Sequence, residues 1–299
     1  GQLAVHQGIK SILSNTSENV AVIGFDPSAS NLPSETVKKL YSYSFDAWTD
    51  GMNEVTATSL YALSIQIFMD ETGLDENDLA NLTINNRNNA CLNPGAHLKL
   101  KHTQEEIINS PVISSPYRRL HCSPLSDGAA SIILSNKISS KRKTAPSIIG
   151  IGSANDKVNL GARDEIGEFK SKKLAMKKAW QMAQVLPSEI GFAEVYDAYA
   201  GAQFQAINAL GLSNNFLKDF RDGVFNLDGK LPINISGGLM GQGAPVGATG
   251  VGQTATCAMV LEGNYHDKLQ FSLIPKFALA DTHGGVGTNA AVSILQSNV

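Results

Sequence analysis

The stretch Ser236–Gln253, SGGLMGQGAPVGATGVGQ, constrains the fold more than any other, because it holds seven glycines and one proline and carries no charge. Glycine at this density lets the backbone turn sharply and approach a neighbour closely, at an entropic cost that an ordinary surface loop has no reason to bear. The residues that follow, Thr249–Leu261, are small and apolar enough for a buried helix. A loop feeding a helix in this way aims unpaired N–H groups and the positive end of the helix dipole at something. Two readings fit. One is a phosphate cradle, although no Gly-Lys-Ser/Thr closes the run and its spacing is not GxGxxG. The other is a tight connection between packed elements.

At 299 residues the chain has room for one large domain or two ordinary ones, and 42% hydrophobic against 17% charged residues suits a well-cored protein. The net charge is −3, and the densest basic cluster is Lys141-Arg142-Lys143, which reads as a solvated linker. Nucleic acid is therefore not an expected partner. Cys91, Cys122 and Cys257, with no CxxC, exclude a disulfide framework or a zinc ribbon and fit a reducing cytoplasm. No metal-ligand spacing stands out, no apolar run reaches membrane-spanning length, and no signal peptide opens the sequence. The expectation is a soluble cytoplasmic protein with no membrane partner.

Taken in order, the spacing predicts a helix over Leu3–Leu13, without an N-cap residue, and a fully buried strand over Asn19–Phe25. The excursion from Asp26 to His121 predicts helices at Ser59–Thr72, Asp75–Leu82 and Thr103–Asn109, joined by Asn-rich and Pro-punctuated loops. Such an insertion forms a cap or binding surface over a main sheet. A buried strand returns at Ser126–Leu134, and Lys137–Pro146 is the best domain boundary. Beyond it the pattern predicts strands at Ser147–Ile151 and Ile190–Tyr196, helices at Lys170–Val185 and Tyr199–Leu210, then strands at Phe271–Leu279 and Ala290–Leu295. One distant echo links the halves, Gly128-Ala-Ala-Ser-Ile-Ile-Leu against Asn289-Ala-Ala-Val-Ser-Ile-Leu.

Several segments carry a family resemblance, in order and over nearly the whole chain. They are Ser59-Leu-Tyr-Ala-Leu with Asn93-Pro94, His121-Cys-Ser-Pro-Leu-Ser-Asp-Gly-Ala-Ala130, Ala193-Glu-Val-Tyr-Asp-Ala-Tyr199, the run Gly237–Gly250, and Leu279-Ala-Asp-Thr-His-Gly-Gly285. Together they resemble the sterol-carrier-protein-2-type thiolases and their archaeal and bacterial relatives. The resemblance implies an α/β thiolase fold: duplicated βαβαβαββ halves in a five-layer α-β-α-β-α core with a loop domain. Residues 1–143 would be the remainder of the first half, with the loop domain at about 26–121, and 144–299 the second half. It also places Gly1 just after the family's nucleophilic cysteine. The nucleophile and the opening strands of the first half are then expected in a longer chain or a companion subunit.

Thiolase chemistry needs a thiolate, a histidine to activate it, donors for the thioester oxyanion and a second acid/base. On the resemblance, the histidine of the GHP motif is Ala244 here, the histidine and cysteine of HDCF are Tyr196 and Ala198, and the closing histidine is Asp281. Gly243, Pro245, Gly247, Gly284 and Gly285 keep the shape of an acyl-CoA cleft. His283 is either a relocated base or a loop histidine with a backbone partner; Tyr196 is either a donor to a thioester carbonyl or a packing residue. His97 is a tunnel-lining or exposed loop histidine. Cys122 reads as an unreactive thiol, Cys91 and Cys257 have no visible catalytic partner, and Asp127 reads as a turn or cap. The favoured reading is a thiolase-like subunit, impaired in catalysis, whose ligand is coenzyme A or an acyl-CoA and which binds no cofactor permanently. The alternative is an active acyl-CoA C-acyltransferase completed from elsewhere, and a third reading is an architectural role. Expected assemblies are a homodimer, a dimer of dimers, or a hetero-oligomer.

Overall fold

The first helix, α1 (Gln2–Leu13), buries Val5, His6 and Ile12 on one face and has no side-chain cap at its start, as its sequence predicts. The computed structural model describes residues 1–53, 55–137 and 144–299; most of the expected boundary at Lys137–Pro146 and the basic cluster Lys141–Lys143 lie outside the described residues. After α1 comes β1 (Asn19–Asp26), then α2 (Ser28–Asn31) and α3 (Ser34–Ser42). α4 (Ala57–Thr72) starts from a reciprocal Thr56/Ser59 capping box and stops at Gly73 in the left-handed region.

α5 (Glu76–Leu92) runs ten residues further than the sequence predicts, through the Asn-rich segment that reads as loop. Asparagine is a poor helix former, and tertiary hydrogen bonds override that preference. Asn86 Nδ2 donates to Asp197 and Gln203, Asn89 Nδ2 to the Asn234 carbonyl, and Asn93 Nδ2 to the Ser236 carbonyl. The helix is a ladder of polar side chains holding down the approach to the glycine run. α6 (Gln104–Ile108), β2 (Val112–Ser114) and β3 (Tyr117–Arg118) complete the excursion.

β4 (Gly128–Ser135) pairs antiparallel with β1 along its whole length, with Phe25 opposite Ala129. The burial of β1 alternates instead of being complete, which corrects the expectation of a fully buried strand. Ile23, Phe25 and Ile133 are 66%, 67% and 79% exposed on the outward face of this pair. Among the described residues nothing covers that face.

The second block supplies β5 (Ser147–Asn155), α7 (Lys170–Ala183), β6 (Ile190–Glu194), α8 (Ala200–Ala209) and α9 (Phe216–Arg221). α10 (Gly238–Gln242) and α11 (Val246–Leu261) follow, then β7 (Phe277–Gly284) and β8 (Asn289–Gln296). The sheet order is β5-β8-β7-β6, with β6 and β7 parallel and the other pairs antiparallel. β7 begins six residues later than predicted, after Pro275 and an outward Leu273, and continues to Gly284. α7 covers one face of this sheet, and α11 fills the space between its other face and the β1–β4 pair. The two echoing segments are β4 and β8, each the second strand of an antiparallel pair that follows a helix of this middle layer.

The glycine run is resolved as a packed connection. Pro245 is the N-cap of α11, so the helix starts three residues before the predicted Thr249. Its first turn is answered by a protein carboxylate, since the Gly247 N–H donates to Asp26 Oδ2 at 3.3 Å. A Cβ on Gly247 would stand 2.3 Å from the Phe25 carbonyl oxygen, and one on Gly250 2.4 Å from the Gln2 nitrogen. Glycine is what lets α11 touch β1 and α1 backbone to backbone.

Candidate functional site

β7 lies inside the sheet, and its period of two puts Leu279, Asp281 and His283 on the face toward α7 and α4. The segment leaving β6 brings Tyr196 to the same place. Tyr196 and His283 have ring centroids 4.5 Å apart, and Phe169 and Tyr61 complete the surroundings of the imidazole at 5.0 and 5.8 Å. Tyr199 packs against Tyr61 with ring centroids 4.6 Å apart and the planes tilted by 37°. Two residues named from sequence for separate reasons, Tyr196 and His283, thus form one aromatic nest.

His283 is buried and its Nε2 contacts the Tyr61 hydroxyl, which itself donates to the Gly285 carbonyl at 2.8 Å. A phenol has one proton. With that proton on Gly285, the Nε2 of His283 must carry the hydrogen toward Tyr61, which leaves Nδ1 as a bare acceptor. Nδ1 has no partner among the described residues. Burial, then the positive charges of Lys172 and Arg163, hold the imidazole well below its usual pKa, so it is neutral. The alternative of a loop histidine with a backbone partner is not what the structure shows, because His283 sits on β7 and bonds a side chain.

Tyr196, Leu239, Ala244 and Ala198 pack together. The positions where the resemblance expects histidine and cysteine are therefore adjacent in space and lined with methyl groups. Burial raises the Tyr196 phenol above its ordinary value, which leaves it a hydrogen-bond donor and not a base at neutral pH. Asp281 is not free as a replacement acid. It forms a fully buried ion pair with Lys172 of α7 and accepts from the Tyr196 N–H at 3.3 Å. The position has been taken over by a structural charge pair.

The remaining expected cleft residues divide into two places. The Gly284–Gly285 pair ends β7 at the hairpin turn beside Tyr61 and His283, with Gly285 at φ +59°. Gly243 (φ +117°) and Pro245 lie on the opposite side of Ala244, against Ser126 and Gly128, and Gly247 faces Phe25. His97 is exposed and contacts Ser126 Oγ at 3.0 Å, while Ser126 Oγ also accepts from the Ala244 N–H. Asp127 caps α2 through the Ala29 and Ser30 N–H groups, in keeping with its sequence context.

Burial lifts the Cys122 thiol to about 12, and its Sγ donates to the Arg118 carbonyl. Cys257 is buried on the Leu279 carbonyl with its thiol also raised by burial. Neither is a thiolate at neutral pH.

Sequence reasoning missed several residues that build the site. Lys172 had a signal: the buried face of α7 runs 172, 175, 176, 179, and the helical period lands on a lysine among Ala175, Met176 and Ala179. Tyr61 lies on α4 in a buried stretch with Leu60 and Ile65, inside the Ser59-Leu-Tyr-Ala-Leu segment that carries the resemblance without giving Tyr61 a role. Asp197 receives Asn86 from α5 and accepts from the Leu239 N–H at 2.7 Å, tying α5 to the start of α10.

Residues 152–297 match the family described as Thiolase C-terminal domain-like. The chain is 31% identical to the acetyl-CoA acetyltransferase of Methanothermobacter thermautotrophicus over 300 residues, 98% of this chain and 76% of that protein. It is 29% identical to benzoylsuccinyl-CoA thiolase subunit BbsB of Thauera aromatica, over 76% of this chain and 60% of that one. The solved structure of an Ltp2-ChsH2(DUF35) aldolase superposes with TM-score 0.80 over 100% of this chain and 78% of that chain, at 21% identity, a likeness of fold.

Proposed function

The chain belongs to the thiolase family, and from that premise we propose that it holds an acyl-CoA-type thioester in the Tyr196–His283 cleft without forming an acyl-enzyme on its own side chains. One observation carries this reading. The positions at which the family places its histidines and second cysteine are filled by Ala244, Tyr196, Ala198 and Asp281, and Asp281 is occupied by Lys172. Methyl groups neither give nor take a proton, and a carboxylate held in a fully buried pair with an ammonium serves the fold and not a substrate's proton transfer. What the cleft does offer is polar and oriented: the Tyr196 phenol as a donor and the His283 Nδ1 as an acceptor, inside an aromatic wall. The same set suits a thioester carbonyl and the acyl group beside it.

A second reading has its own support, the contact of a neutral imidazole with a phenol in a site without a thiolate. Such a pair suits acid–base cleavage of a carbon–carbon bond in a β-hydroxyacyl thioester. The base takes the hydroxyl proton, the bond pair passes to the thioester enolate, and protonation at the α-carbon leaves a carbonyl product and a shorter thioester. The structural neighbour given above is itself named an aldolase, which points the same way.

The protein is proposed to act within a multi-subunit assembly. The exposed apolar face of β1–β4 supports this, as do a relative named as a subunit and a neighbour solved as a two-component aldolase. No helix of the described residues is long and apolar enough to cross a membrane.

The test is calorimetric titration of the native assembly with acetoacetyl-CoA and with a β-hydroxyacyl-CoA, followed by chromatography of the thioesters. Saturable binding of both without turnover supports the first reading, and a shortened thioester from the second compound supports the other. Absence of binding by either compound would remove both.

A further inference from the structure

α11 contains a glycine that packing does not explain. Gly247 and Gly250 are needed for close approach, but a Cβ on Gly252 would meet only the Ala130 Cβ, at an ordinary 3.7 Å. Glycine inside a helix is destabilising relative to alanine. Its missing side chain leaves open one wall of a cavity of about 160 Å³ between α11, β4 and the end of β6.

The chemistry of that cavity is one-sided. Glu194 lines it at 1% exposure; its carboxyl accepts from the Ser236 N–H and hydroxyl and has no ion-pair partner among the described residues. Gln253 lines it at 6% exposure, and neither its amide nitrogen nor its amide oxygen has a hydrogen-bond partner among the described residues. A buried polar group left in that state carries its desolvation penalty without compensation. Asp127 adds a second carboxylate to the lining, and no lysine, arginine or histidine contributes to it.

We propose that this cavity binds a small organic cation of the guanidinium class, with Glu194 as its counter-ion and the Gln253 amide oxygen as a second acceptor. A planar guanidinium presents a fork of N–H donors that matches a carboxylate and still has hydrogens for an amide oxygen. The volume suits such an ion and lies below the roughly 300 Å³ at which drug-sized ligand pockets begin. This site stands apart from the thioester cleft. The cavity is lined by Leu239, Gly243 and Pro245, next to that cleft in sequence or space, and by none of Tyr196, Ala198, Ala244, Asp281 and His283.

Protonation gives the site a pH signature. Burial pushes the Glu194 carboxyl up to about 7, and the titratable groups facing it are Asp197, Cys257 and Tyr265, with Asp127 elsewhere in the lining. Burial raises all three: it carries the Cys257 thiol and the Tyr265 phenol further above neutrality and lifts the Asp197 carboxyl well above the usual carboxylate range, while Glu194 ionises between mildly acid and mildly alkaline pH.

The experiment is calorimetric titration of the full chain with methylguanidinium, at concentrations far below denaturing ones, in mildly acid and mildly alkaline buffer. Expected are saturable binding that tightens with rising pH and a loss of about tenfold or more in affinity in Glu194→Gln, a difference of about 1.4 kcal/mol. Gly252→Arg, whose own guanidinium would occupy the cavity, should abolish binding and raise the melting temperature. This second variant keeps the test decisive if Glu194→Gln does not fold. Undiminished binding in Gly252→Arg, equal saturation by potassium, or no saturable heat at either pH would overturn the proposal.

Discussion

Removing one partner of the Lys172–Asp281 pair should be far more damaging than removing both. Both side chains are at 0% exposure, and Asp281 has only the Tyr196 N–H as a further donor to the same oxygen, its Oδ1 having none. Lys172→Met therefore leaves a buried carboxylate with one weak donor, and breaking a buried pair in this way costs about 3–5 kcal/mol. At about 2 °C per kcal/mol for a chain of this size, the melting temperature should fall by about 6–10 °C. The double variant Lys172→Met/Asp281→Leu removes both charges and should return to within about 1–2 kcal/mol of the natural protein. Denaturant unfolding of the four proteins, followed by tryptophan fluorescence, gives the coupling energy directly. Additive losses, or a loss below about 1 kcal/mol in Lys172→Met, would refute the idea that the pair fills this position as a structural unit.

Other outcomes follow from the same geometry. Gly247→Ala should cost about 1–3 kcal/mol because its Cβ would meet the Phe25 carbonyl at 2.3 Å, whereas Gly252→Ala, with 3.7 Å of room, should be neutral or stabilising by up to about 1 kcal/mol; chemical denaturation separates them. His6 and His121 are buried with pKa values held down to about 4, chiefly by burial. Their folded-state values lie below the unfolded value near 6.5, so stability is fully present above that pH and is lost as pH falls toward about 4, by up to about 3 kcal/mol each; His6→Gln should flatten the pH dependence of unfolding. The Cys122 thiol, lifted to about 12, should resist alkylation in the folded protein at mildly alkaline pH and react on unfolding.

What can be read from the sequence divides by the range of the interactions involved. The helix at Lys170–Val185 and the strand over Ile190–Tyr196 follow from local period, while Tyr196, Ala198, Ala244 and Asp281 are linked only by the resemblance to the thiolases, and the structure gathers these four residues in one place. The Asn-rich half of α5 reads as loop because its helicity rests on partners more than a hundred residues away, at Asp197, Asn234 and Ser236. The exposed face of β1 is invisible for a related reason, since an apolar strand gives no sign of which side its own chain covers. Gly252 shows the limit most plainly: in a run of seven glycines, nothing in the sequence separates the ones that permit contact from the one that leaves a cavity.

A thioester held without a covalent intermediate is the central claim, and intact-mass spectrometry of the native assembly after incubation with acetyl-CoA tests it most directly. The chain should keep its unmodified mass, with Cys91, Cys122 and Cys257 all free in the peptide map, while acetyl-CoA is retained non-covalently under gentle ionisation. An acetyl group found on any cysteine of this chain, discharged on addition of coenzyme A, would contradict the claim and return the protein to the active acyltransferases.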